Sequence, residues 1–147
     1  MKDLLVIGVG NTLRGDDGAG VRAVERVRAV PDAPDCLTVH QLTPELADAI
    51  RDYARVCFVD ASVAVDRLAC RGIEPESTRP GSHTATPGGL LAMARDLYGQ
   101  APAQAWLVEI PACVFEFGEE MSVAAEAGVT EAVGRVRALQ VLSEASA

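Results

Sequence analysis

Apolar and polar positions alternate along this chain in two periods. Residues 3–9 (DLLVIGV) are a short, almost unbroken apolar run, the pattern of a strand buried on both faces. From Gly18 onward Val21, Val24 and Val27 recur at helical spacing with arginines between them. CLTVHQL (36–42) reads as a second strand, followed by Thr43-Pro44 as N-cap and first-turn proline of a helix with Leu46, Ile50 and Tyr53 on its apolar stripe. RVCFVDAS (55–62) is a third buried strand, and DRLACRGI (66–73) alternates as an edge strand does. Residues 74–85 form a Pro-, Ser-, Thr- and Gly-rich loop, and Thr86-Pro87 opens a helix carrying Leu90, Leu91, Ala94 and Leu97. QAWLVEI (104–110) predicts a further strand and 111–121 a loop. A long helix from about Ser122 follows, with Val129, Val133 and Val136 on one side.

Strands alternating with helices predict an α/β protein, a three-layer αβα sandwich around a mostly parallel, five-stranded twisted sheet. The edge strand at 66–73 is free to run antiparallel. The 147 residues are expected to form one domain, 1–147, with neither internal repeats nor low-complexity segments.

Composition narrows the function. A net charge of −8 argues against nucleic acid, since the 13 basic residues are scattered. Arg22, Arg26 and Arg28, the nearest thing to a cluster, read as the wet face of a helix. No apolar run approaches the ~20 residues of a membrane span, and MKDLLVIGVG lacks the plan of a signal peptide. Cys36, Cys57, Cys70 and Cys113 show no CxxC spacing and are expected to be free, buried thiols in a reducing cytoplasm.

The first loop, VIGVGNTLRGDDGAGV (6–21), begins like a nucleotide-binding turn and departs from it. Gly8 and Gly10 are not followed by the third glycine of a dinucleotide fingerprint, and no Gly-Lys-Ser/Thr supplies a P-loop. The adjacent Asp16 and Asp17 therefore need another role. One aspartate before a helix is explained by capping; two, beside glycines that let the backbone come close to something, leave a ligand role open.

Two more groups fall at the same predicted edge. Asp60 ends the third strand, where open α/β sheets form their sites. His83 lies in GSHTATPGGLL at the junction with the 86–98 helix. Two carboxylates and an imidazole facing one crevice would suit a borderline divalent ion, although each residue alone is as readily structural. No G-x-S-x-G elbow is present, and His40 reads as the end of a strand.

GVGNTLRGDDGAGVRAVE, FVDAS and SHTATPGGLL together resemble the hydrogenase maturation endopeptidases, which trim the C-terminal tail of NiFe-hydrogenase large subunits. Their order and spacing fit over about residues 4 to 142. The resemblance implies a cytoplasmic peptidase of aspartic or metal-dependent type, and the chain is expected to be a monomer. Its metal ligands and catalytic residues would fall on Asp17, Asp60 and His83, and Asp16 would hold the loop or cap the first helix. The ion would be nickel supplied by the precursor's own active site, or another divalent metal, so that metal delivery licenses cleavage.

Two departures set the chain apart. His40-Gln41-Leu42-Thr43 stands where the family often carries Asp-Gly-Gly-Thr, and Glu109 stands where a small residue is common. Two other readings are a non-catalytic checkpoint for nickel loading of the same precursor and, less favoured, a hydrolase of a nucleoside-like substrate. The latter would need a stacking aromatic near the crevice, and Trp106 is the only tryptophan.

Overall fold

The computed structural model describes residues 1–77 and 82–146. Strands β1 (Lys2–Val9), β2 (Asp35–Val39), β3 (Tyr53–Ser62), β4 (Ala69–Gly72) and β5 (Gln104–Pro111) form one sheet in the order β2-β1-β3-β5-β4. All pairs are parallel except β4 with β5, so the expected antiparallel edge strand is found. Both central runs are apolar without interruption because both faces of β1 and β3 are covered.

Alternate residues divide the core in two. Leu4, Val6, Cys57, Val59, Val108 and Ile110 pack against helices α1 (Ala19–Arg28) and α4 (Val123–Ser146). Leu5, Ile7, Val56 and Phe58 face α2 (Leu46–Ile50) and α3 (Pro87–Tyr98). The three-layer sandwich thus follows from the period of two along each strand. Helix α1 lies against the sheet at Gly20, where a Cβ would collide with the Val59 carbonyl oxygen.

Several predicted elements change at their ends. β2 stops at Val39 rather than 42, because β1 ends at Val9 and the last carbonyl, that of Val39, takes the Gly10 N–H at 3.0 Å. β4 spans four residues of the predicted 66–73, those paired with Trp106–Glu109. Helix α2 has five residues: Pro44 lies in a turn before it, the Thr43 hydroxyl engages Glu45 instead of capping, and Tyr53 opens β3. By contrast, α3 begins as read, with Thr86 Oγ1 accepting the Gly89 N–H at 3.0 Å and Pro87 in the first turn. Leu97 is the exception on that helix, 63% exposed beyond the buried stretch Gly89–Ala94. Among the described residues no helix is long and apolar enough to cross a membrane.

The arginines of α1 are spent within the fold. Arg22 donates to the Glu119 carbonyl at 3.1 Å, Arg26 to the Thr130 hydroxyl at 3.2 Å and Arg28 to the Cys36 carbonyl at 3.1 Å.

Candidate active site at the carboxyl edge of the sheet

In the order β2-β1-β3 the chain leaves β1 in both directions, which makes the carboxyl ends of β1 and β3 the switch point of the sheet. Residues 10–18 cross that point. Gly10 has φ +144°, and a Cβ on it would fall on the Asp17 carbonyl oxygen, so only glycine lets the loop close on itself here. The Asn11 N–H donates to Asp17 Oδ2 at 2.9 Å. Asp17 therefore turns back over the loop rather than capping α1, whose N-cap is Gly18 and has no side-chain cap.

Asp16 does something different. Its side chain is fully buried and accepts the backbone N–H groups of Cys113 (2.8 Å), Val114 (3.0 Å) and Ser122 (2.7 Å), with the Ser122 hydroxyl at 2.8 Å. Burial alone would raise its pKa, but these hydrogen bonds outweigh burial and hold the carboxyl below its ordinary range. The Ser122 hydroxyl in turn accepts the Ala125 N–H at 3.1 Å, which caps α4. Of the two roles expected for Asp16, holding a loop is the one observed, and the loop is the one leading into α4.

Asp60, half-buried at the end of β3, stands in register with Glu109 on β5. Both share the parity of Phe58 and Leu107 and lie on the α2/α3 side of the sheet. Burial pushes the Asp60 pKa up to about 6, the Ala61 N–H at 2.8 Å opposes the rise, and the negative charges of Asp17 and Glu109 add to it. Arg71 reaches Glu109 at 3.8 Å from β4. Glu109's place beside Asp60 could have been anticipated only from the parallel register, which apolar periodicity does not give.

His83 is not beside these carboxylates. Its Nε2 lies 2.9 Å from Asp96 Oδ2, and Arg95 Nε donates to Asp96 Oδ1 at 2.8 Å. Asp96 is nine residues into α3, about 13 Å along the helix axis, so the imidazole is folded back along the helix. Among the described residues no three His, Cys, Asp or Glu side chains are grouped closely enough to hold a metal ion. Asp17 and Asp60 nevertheless suit a cation: each commits one oxygen to a backbone N–H, and Asp60 lies in a negative field that a positive ion would relieve.

The remaining candidates are peripheral. His40 is exposed just past β2 and lines a concavity of about 350 Å³ with Gly10–Leu13, Val21 and Glu25. Trp106 is half-buried, with the Arg55 guanidinium 5.5 Å from its ring centre, and borders a concavity at the amino-terminal half of β5. Of the four thiols, all free, only Cys57 is fully buried; Cys36 and Cys70 are half-buried, and Cys113, whose backbone N–H Asp16 accepts, is exposed.

No protein-family model and no curated protein matches this chain. Solved structures do. The hydrogenase maturating endopeptidase HybD from E. coli superposes with a TM-score of 0.73 at 23% identity, over 97% of this chain and 94% of that one. This chain has the hydrogenase maturation peptidase fold. A hydrogenase 2 maturation peptidase from a Thaumarchaeota archaeon is 28% identical, with a TM-score of 0.67 over 96% of this chain and 98% of that one. The NiFe hydrogenase maturation protease HybD from Thermococcus kodakarensis gives 24% and 0.70 over 95% and 99%. The likeness read from the first loop, FVDAS and the His83 segment thus extends to the architecture, end to end.

Proposed function

We propose that this chain is a peptidase that removes the C-terminal tail of a NiFe-hydrogenase large-subunit precursor, with the nickel in that precursor forming part of the substrate. The observation that carries this reading is the pair Asp17 and Asp60 at the switch point of a fold shared, nearly end to end, with hydrogenase maturation peptidases.

In this reading the two carboxylates receive the ion that the precursor presents. A bound cation offsets their mutual repulsion, and Asp60, whose pKa of about 6 leaves a fraction protonated near neutrality, releases its proton as the ion arrives. The ion would supply Lewis-acid polarisation of the scissile carbonyl or activation of water. His83, which is held by Asp96 in this structure, would be the third member of the set if it exchanged that partner for the ion. Asp16 holds the neighbouring loop and takes no part in the chemistry. We place this processing in the cytoplasm, a reducing compartment in which four free cysteines persist.

The intact mass of the large subunit in cells lacking this gene tests the reading. A retained C-terminal extension that disappears when the gene is restored supports it. A subunit already mature without the gene overturns it.

A further inference from the structure

The loop that Asp16 fastens carries an exposed phenylalanine. Residues Leu13–Asp16 and Val114–Gly118 run side by side: the Gly15 N–H donates to the Gly118 carbonyl at 2.9 Å, Gly118 to Leu13 at 2.7 Å and Asp16 to Val114 at 2.7 Å. Arg22 ties the same pair of loops through the Thr12 and Glu119 carbonyls. On this braced backbone Phe117 is 86% exposed and Leu13 48%. Val123, 86% exposed, follows the pinned Ser122. A bulky apolar side chain on a loose loop would be unremarked. Here a buried carboxylate and three backbone hydrogen bonds hold the loop that displays it, so the ordering cost of a contact at Phe117 is met before any partner arrives.

The charge along this segment of the chain is one-sided. Between Arg95 and Arg135 the chain has no lysine or arginine, yet it carries Glu109, Glu116, Glu119, Glu120, Glu126 and Glu131. Glu116, Glu119 and Glu120 flank Phe117 and are exposed; against them stand Arg14 on the facing loop and Arg22, whose guanidinium is held by the Glu119 and Thr12 carbonyls. A second copy of this chain, also at −8, would bring glutamates against glutamates. The complementary partner is an apolar pocket bordered by basic side chains.

We infer that the Leu13/Phe117 platform docks the folded precursor through such a basic-rimmed apolar pocket, with Leu13 four residues along the chain from Asp17. This rests on the processing function proposed above.

Binding of the purified large-subunit precursor is measured for the wild type, Phe117→Ser, Leu13→Ser, Glu119→Lys/Glu120→Lys and Asp17→Asn, with circular dichroism confirming each fold. The expected result is a loss of about tenfold or more in affinity for Phe117→Ser, a smaller loss for Leu13→Ser, and cleavage restored by raising precursor concentration. The double lysine variant should weaken binding most at low salt. Asp17→Asn should bind and not cleave. Wild-type affinity in both serine variants, with processing intact, overturns the docking surface and leaves the processing function standing. A wild-type chain that neither binds nor shortens the precursor overturns both. Self-association lost in Phe117→Ser, with precursor binding unchanged, assigns the platform to a second copy and overturns the proposal.

Discussion

The Asp16 carboxylate accepts both the backbone N–H and the hydroxyl of Ser122, 106 positions further along the chain. With the Cys113 and Val114 N–H groups, that one side chain satisfies donors on both sides of the loop between β5 and α4.

Asp16→Ala removes the acceptor and leaves buried donors unpaired, and should cost about 3–4 kcal/mol in urea unfolding. Asp16→Asn should cost less. Because the folded pKa lies below the unfolded 3.8, the carboxylate's contribution is present above about pH 4 and lost as pH falls through the folded value. The acid limb of the stability curve should therefore be flatter in Asp16→Asn than in the wild type.

Asp60 has the opposite sign. A folded pKa raised from 3.8 to about 6 means that the fold favours the protonated form. Its contribution is full below pH 3.8 and is lost as pH rises through 6. Asp60→Asn should therefore be the more stable protein at pH 7, by about 2 kcal/mol after allowance for solvent screening, and lose that advantage below pH 4. Paired denaturant melts at the two pH values decide it; an Asn variant less stable at pH 7 would show that burying the Asp60 carboxylate beside Asp17 and Glu109 carries no cost.

Asp17→Ala, Asp60→Ala and His83→Ala should each lower processing of the precursor by at least about a hundredfold with the fold retained. Intact-mass analysis of the large subunit reads the outcome, and full activity in any one variant removes that residue from the set.

Gly10→Ala should destabilise the protein by about 2–3 kcal/mol, since φ +144° is strained for alanine and the new methyl would displace the Asp17 backbone. Gly99→Ala is the control: it also has positive φ, at +68°, but open space around its Cβ. A comparable loss in thermal melts of both would assign the effect at Gly10 to backbone strain alone.

What the sequence disclosed follows the physics of burial. The core strands and α1, α3 and α4 are long enough for apolar periodicity to mark them. Helix α2 and strand β4 are too short, and pairing partners rather than side chains set their limits. The doublet Asp16-Asp17 was visible, but not which aspartate would be buried, because the donors that select Asp16 lie about a hundred positions away. The sequence places His83 at the sheet edge, but its contact with Asp96 depends on how residues 82–86 fold back on α3. Helical spacing alone does not report that. In the sequence Glu109 stands out only as an unusual residue, and strand register makes it Asp60's neighbour.

Fastening the first loop to the start of α4 also sets an order of assembly. During synthesis β1, Asp16 and Asp17 leave the ribosome long before Ser122 exists, so Asp16 spends that interval without the partners that justify burying it. The carboxyl edge of the sheet is therefore among the last parts of the molecule to take shape, and a nascent chain long enough to form β1, β2 and β3 still presents an unfinished site.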